Sequence, residues 1–217
     1  MLLTDAEIDH TAGLLLLRES QAPVRVFGDE GVQRALTHGY PALAILERYC
    51  GVEWHPLEPA RETPLEGSSL AVEPFEAGGD APRYMDGSGV ELEASGFVFR
   101  DRAGGGVVTY APGLARLDDG VLTRLAASDL VLVDGTFWRD DELERLGISR
   151  RSARDMGHVP LSGPNGTLGA LERLERPRKV LVHINNTNPI LLEDSPERQK
   201  VDGAGIEVAY DGLEIAL

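Results

Sequence analysis

Residues 130–134 read Leu130-Val131-Leu132-Val133-Asp134, an unbroken apolar run that stops on a carboxylate. Such continuity predicts a strand buried on both faces, the habit of a parallel sheet covered by helices. A second run of the same kind, Val180-Leu181-Val182, stops at His183. Around them the pattern turns helical, over 117–127 and again after Ser162-Gly163-Pro164-Asn165-Gly166, where Leu168, Leu171 and Leu174 share one side. Beyond His183, Ser195-Pro196 offers a cap and a first-turn proline for a further helix. Residues 97–100 and 107–110 flank Asp101-Arg102-Ala103-Gly104-Gly105-Gly106, which reads as a hairpin whose turn needs positive φ rather than as a phosphate cradle. Toward the amino end, residues 1–4 and 24–27 read as strands, 13–19 as helix-like, and 30–49 as helix broken near Gly39-Tyr40-Pro41. The Pro-, Glu- and Gly-rich stretch 56–86 predicts connecting strands and a long loop, and the tail, 206–210 and 213–215, two short strands. Strands alternating with helices, with no repeat and no linker, predict an α/β fold in a single domain spanning 1–217.

The chain of 217 residues is 42% hydrophobic and 26% charged, enough for one sizeable core and unlike a disordered or fibrous sequence. Its 21 Lys and Arg face 36 Asp and Glu, a net charge of −15, and Lys179 and Lys200 are the lysines. No basic stripe is available for phosphates, so nucleic acid is not an expected partner. A lone cysteine, Cys50, forms no internal disulfide and no Cys-rich zinc cluster; with nothing basic adjoining, it reads as small apolar filler. Apolar runs such as 14–17 fall well short of the roughly 20 residues of a bilayer-spanning helix, and no basic-then-apolar leader precedes a small-residue cleavage site. The expectation is a soluble, cytoplasmic protein with no membrane insertion.

Polar residues just past the carboxyl ends of buried strands are the usual way an α/β protein builds a site. Such positions deliver Asp9 and His10 after the first strand, Asp134 after the middle one and His183 after the last, with His158 in a Gly-His loop before a helix. Two imidazoles and a carboxylate make the facial set that holds ferrous iron with positions left open, and Asp9, His10 and His183 supply it. On the residues alone, His10 and His183 read equally well as structural histidines. Asp134 reads equally as a buried acid satisfying backbone N–H groups, and Asp5 and Glu7 as a solvated acidic loop. His38 and His55 are read as structural or surface residues.

The segment Thr4-Asp5-Ala6-Glu7-Ile8-Asp9-His10 resembles the H-x-H-x-D-H metal loop of the metallo-β-lactamase fold, with Asp5 and Glu7 in place of the first two histidines. More specific are Val133-Asp134-Gly135-Thr136-Phe137-Trp138, Met156-Gly157-His158, Ser162-Gly163-Pro164 and the run from His183-Ile184-Asn185-Asn186-Thr187-Asn188-Pro189 to Arg198. Tyr110-Ala111-Pro112-Gly113 and Tyr210-Asp211-Gly212 complete the pattern. With these, the whole chain resembles the coenzyme PQQ synthesis protein B family. The resemblance implies an αββα sandwich and a role in making the redox cofactor pyrroloquinoline quinone (PQQ). It further implies iron-dependent hydroxylation of a tyrosine-containing, Glu-Tyr-type peptide precursor, with Fe(II) at a mononuclear site, Zn(II) as a substitute and O₂ as co-substrate. An older reading of the family implies instead a carrier moving PQQ or its precursor toward the periplasm, and the fold in general a metal-dependent hydrolase. The implied partners are the small peptide-derived precursor and other PQQ-biosynthesis proteins.

With Asp5 and Glu7 for the two histidines, and Gly113 at the place of the usual bridging aspartate, a dinuclear zinc site is not expected. The resemblance retains Asp9, His10 and His183 as metal ligands. Asp134 and His158 resemble a proton-shuttle pair in which Asp134 orients His158 and His158 moves substrate protons. Asn185, Asn186 and Arg198, with Asp5 and Glu7, are expected to hold substrate or support the ligands, Arg198 being the best suited by its fork. Complete members of the family begin with a further stretch that supplies the first strands and often a Cys-rich zinc clip. An amino-terminally truncated sandwich with one sheet edge open is therefore expected.

Overall fold

The computed structural model describes residues 1–90 and 92–217. Its strands, in chain order, are β1 (Val24–Gly28), β2 (Val52–Pro56), β3 (Thr63–Pro64), β4 (Leu70–Gly78), β5 (Ala94–Asp101), β6 (Val107–Ala111), β7 (Leu130–Asp134), β8 (Arg178–Val182) and β9 (Glu207–Val208). The helices are α1 (Ile8–Thr11), α2 (Glu30–Arg34), α3 (Ala42–Tyr49), α4 (Asp119–Ala127), α5 (Glu142–Arg145), α6 (Thr167–Glu172) and α7 (Pro196–Gly203). A 3₁₀ helix, Ala12–Glu19, continues α1.

The period-two alternation of the strands sorts the chain into layers. In β1, Val26 points to an outer core with Leu36, Leu43 and Leu46 of the helical segment that follows, whereas Phe27 points inward. Phe27 meets Val72 of β4 and Phe97 of β5, which form the core between the two sheets. Val98, next to Phe97, faces the other way, onto a core with Leu125 of α4, Leu171 of α6 and Val201 of α7. The order helices, sheet, sheet, helices is the αββα sandwich expected from the sequence.

The smaller sheet pairs β1 and β2 in parallel; the larger runs β3-β4-β5-β6-β7-β8-β9. Pairing is antiparallel from β3 to β6 and parallel from β6 to β9. β7 therefore lies between two parallel neighbours and is buried except for half-exposed Leu132, which explains its unbroken apolar sequence. Local chemistry sets the helix starts: Asp118 accepts from the Val121 N–H at 2.9 Å at the start of α4, and Ser195 accepts from the Arg198 N–H at 2.9 Å at the start of α7.

Four segments differ from the sequence reading. Residues 1–4 make a single bridge, Leu2 to Phe27, beside β1 rather than a full strand. β2 was not evident in Val52-Glu53-Trp54-His55-Pro56, whose extended form comes from pairing with β1. β4 runs on through Pro74: its carbonyl accepts from Ala60, so its nitrogen also faces the side where β3 has already ended and no ladder bond is lost. Residues 213–215 are not a strand, and β9 comprises Glu207–Val208 alone. Among the described residues, no helix is long and apolar enough to cross a membrane.

Gly96 of β5 lies opposite Phe75 of β4, and a Cβ there would sit 2.2 Å from the Phe75 ring. The ring is buried against Val98 and Val131 and has nowhere to retreat. Gly96→Ala is expected to destabilise the protein by about 1–3 kcal/mol through overpacking, read as a lower urea midpoint at unchanged slope.

Candidate metal centre

The loops after β6, β7 and β8 meet where those parallel strands end. Asp134, the last residue of β7, is 1% exposed and fills all its lone pairs. Its Oδ2 accepts from the Leu114 N–H at 2.9 Å and from His158 Nδ1 at 2.7 Å. Its Oδ1 accepts from the Thr136 N–H at 2.9 Å and from the Thr136 hydroxyl. Gly135 permits this convergence, because a Cβ there would lie 3.1 Å from both the Val182 carbonyl oxygen and Leu181 Cβ.

His183 follows β8 with φ +53°, a left-handed conformation that a non-glycine residue holds only when its surroundings enforce it. The Thr136 Oγ1 lies 2.9 Å from its carbonyl and 2.7 Å from its Nδ1. With the Thr136 proton given to Asp134, His183 Nδ1–H donates to Thr136 and its Nε2 carries the lone pair. The rings of His158 and His183 stack 5.3 Å apart.

His10 lies in α1, in the segment that precedes β1 of the smaller sheet. Asp5, buried just before it, accepts from His10 Nδ1 at 2.7 Å, from the Glu7 N–H at 2.9 Å and from the Thr4 hydroxyl at 2.8 Å. The loop is tied to the larger sheet by Ser95 of β5, whose N–H donates to the Thr4 carbonyl at 2.7 Å, and to the 3₁₀ turn Arg83–Met85 by the Tyr84 hydroxyl, which donates to the Ala6 carbonyl at 2.6 Å. Burial pushes the Asp5 carboxyl up, but the bond and charge of His10, the Glu7 N–H and the Thr4 hydroxyl outweigh it and hold the group below its usual value. The bond to Asp5 lifts His10 above its usual value, against burial and with help from the charges of Asp5, Asp9 and Glu7. Burial holds His183 below its usual value, against the pull of Asp134, and His158 and His10 add to the depression.

His10 Nε2 and His183 Nε2 face each other at 3.1 Å. Two nitrogens on one tetrahedral ion at about 2.0–2.1 Å stand about 3.3 Å apart, so the pair has close to the spacing of two ligands. Three imidazoles thus have Nδ1 engaged, by Asp5, Asp134 and Thr136, which leaves each Nε2 free for a metal, the arrangement that second-sphere acceptors impose on ligating histidines. The donor set fits a divalent cation. Asp134, His158 and His183 also offer ligand atoms within 4.8 Å of one another, but Asp134 already accepts four hydrogen bonds and is better suited to orienting than to coordinating.

Asp9 has an 84% exposed side chain with Oδ2 3.9 Å from His10 Nε2, at the rim of the cluster. Glu7 is half-buried beside it, its carboxyl raised by burial and by the charges of Asp5 and Asp9. Asn185 donates to Thr187 Oγ1 at 2.7 Å, and Asn186 is exposed. Arg198 is turned to Asp202 at 3.0 Å and to the Ile190 carbonyl at 3.3 Å, within its own helix and its approach. Two residues not singled out from sequence hold the centre together. Thr136 joins Asp134 to His183, and buried Asn188 donates to the Gly135 carbonyl at 2.8 Å while accepting from Ile190 N–H at 3.1 Å, which clamps the β8 loop onto the β7 loop. An asparagine directly before a proline was the available signal for the second; Thr136 offered none.

Residues 1–184 match the family model described as a β-lactamase superfamily domain. The coenzyme PQQ synthesis protein B of Cupriavidus necator is 47% identical over 229 residues, covering 100% of this chain and 72% of that protein. The protein of the same name from Methylococcus capsulatus is 44% identical, covering 100% of this chain and 73% of its own length. The crystal structure of Zn(2+)-bound PqqB from Methylobacterium extorquens superimposes with TM-score 0.86 at 32% identity, over 100% of this chain and 72% of that one. Unliganded yeast PDE1, at TM-score 0.68 and 16% identity over 97% of this chain and 66% of its own, shares the fold.

Two outcomes follow from this geometry. Thr136→Val strips a partner from Asp134 and from His183 Nδ1 and is expected to cost about 1–3 kcal/mol in urea unfolding, whereas Thr136→Ser retains the hydroxyl and most of the stability. For the metal-free protein, the raised His10 contributes stability that is complete below the ordinary imidazole pKa and lost as pH rises through its raised value; the lowered Asp5 contributes stability that is complete above the ordinary carboxyl pKa and lost as pH falls through its depressed value. Thermal melts of wild type and Asp5→Asn should therefore differ most between about pH 5 and 6.5 and converge on either side.

Proposed function

The chain belongs to the coenzyme PQQ synthesis protein B family of the β-lactamase superfamily, and from that premise we propose that it serves PQQ biosynthesis as a mononuclear non-haem Fe(II) hydroxylase of a tyrosine-containing peptide precursor. The observation that carries this reading is the facing pair of free Nε2 atoms, His10 and His183 at 3.1 Å, beside an exposed carboxylate, Asp9. Two imidazoles and one carboxylate are the donor set of ferrous oxygenases, and an iron ion held by Asp9, His10 and His183 would supply the chemistry of O₂ activation. The Zn-bound relative supports a metal in this family, and zinc would occupy the same donors.

The residues of the chain then have separate tasks. Asp5 keeps the His10 proton on Nδ1, and Thr136 does the same for His183, so both nitrogens that face the ion are unprotonated. Asp134 fixes His158 through Nδ1, leaving its Nε2 to take or return the phenolic proton of the substrate. Hydroxylation of the ring consumes O₂, two electrons from an external reductant and two protons, and releases water.

With Fe(II), a reductant and the dipeptide glutamyl-tyrosine, wild type should consume oxygen beyond its metal-free control and yield a catechol detectable by mass. His183→Ala should lose both this activity and the upward melting shift given by Fe(II) or Zn(II). His158→Ala should keep the metal-induced shift and lose about 10²–10⁴-fold in turnover. Oxygen uptake no greater than the metal-free control would defeat the hydroxylase reading.

A further inference from the structure

We propose that Arg150, Arg151 and Arg154, on the loop that leads into His158, form a carboxylate-binding collar that seats an acidic substrate at the metal centre; this deepens the reading above and rests on it. Most arginines of this acidic chain are already committed. Arg25, Arg116, Arg178 and Arg198, for example, sit in ion pairs with neighbouring carboxylates. Among the described residues, no carboxylate lies within the 4.0 Å of an ion pair from Arg150, Arg151 or Arg154, and all three are exposed. Three guanidinium groups outside any ion pair lie within five residues, followed by a single carboxylate, Asp155, so this stretch is locally positive in a protein of net charge −15.

The loop that presents them is held in place. Asp140 accepts from the Ala153 N–H through its carbonyl at 2.9 Å and from the Arg154 N–H through Oδ1 at 3.1 Å, while Ser152 and Asp155 bond each other's backbone at 2.9 and 3.1 Å. The Arg151 guanidinium folds back over this turn to donate to the Asp155 carbonyl, which uses one of its five N–H groups and leaves the rest free. The His158 N–H donates to the Ala153 carbonyl at 3.0 Å, which sets the arginine-bearing turn directly against the histidine it precedes. The rim there otherwise carries Glu7 and Asp9, which would repel an acidic ligand; planar guanidinium forks offset that repulsion and bind carboxylates in pairs. Exposed Met156 and Ile8, each two residues before a histidine of the cluster, offer apolar surface to an aromatic ring between the charges.

Calorimetric titration of glutamyl-tyrosine into the Zn(II)-loaded protein tests this. The double variant Arg151→Gln/Arg154→Gln should bind at least about tenfold more weakly than wild type, and Arg151→Lys/Arg154→Lys should fall between them. The carboxylate-free glutaminyl-tyrosinamide, which keeps the same α-ammonium group, should bind wild type about as weakly as the diacid binds the double variant. Equal affinity of the diacid for wild type and the double variant, equal affinity of diacid and diamide for wild type, or no binding of the diacid at all would overturn the proposal. Melts with and without Zn(II) separate this from the metal reading: a variant that keeps the metal shift but loses the diacid isolates the arginines. If wild type itself lacks a metal shift, the metal reading has failed, and the same titrations on metal-free protein still report on the collar.

Discussion

The Asp134 carboxylate, shut away from water at the end of β7, is the constraint around which the rest of the site is arranged. A buried carboxylate must have its oxygens filled, because an unsatisfied one is among the most unfavourable groups a protein interior can hold. Asp134 meets that requirement with the Leu114 amide after β6, the Thr136 amide and hydroxyl after β7, and the His158 ring. Each partner belongs to a different stretch of chain, so satisfying one acid fixes the relative positions of several loops. Thr136 extends the network to His183, whose left-handed backbone is the strain that this network sustains.

The other half of the centre is built on a separate acid, in the loop between the Leu2 bridge and α1. Asp5 stands in the motif where this fold usually carries a histidine, and it binds His10 from behind instead of facing a metal. The two halves are electrostatically unlike: Asp5 and its neighbours raise His10, whereas burial and adjacent imidazoles lower His183.

The four-layer arrangement supplies the frame that lets the two halves meet. Phe27, Val72 and Phe97 join the sheets back to back, and the Thr4–His10 loop is carried to the carboxyl edge of the larger sheet by its bonds to Ser95 and Tyr84. Burial beside Glu7 and Asp5 drives the Tyr84 hydroxyl up to about 12, so it stays a donor to Ala6 across the working range of pH. Small residues carry much of this closeness, Gly96 under Phe75 within the sheet and Gly135 beneath the Val182 carbonyl at its end.

Strands β5 to β8, the capped starts of α4 and α7, and the polar residues that end the buried strands were legible in the sequence, because alternation, caps and apolar runs are local and repeat with a fixed period. β2 was not, since a five-residue stretch with Glu, His and Pro becomes a strand through its partner β1; residues 213–215 look like a strand and lack one. The sequence by itself determined that Asp134 and His183 would stand at the ends of buried strands, whereas Asp9 and His10, expected after a first strand, lie in helix α1. Tertiary structure alone decided that Thr136 and Asn188 hold those ends together, that Arg198 is taken up by Asp202, and that His10 and His183 meet Nε2 to Nε2 across 173 residues of chain. Hydrogen-bond partners and ring directions depend on the register of strands far apart in sequence and on a left-handed turn at His183, and neither leaves a periodic mark on the chain.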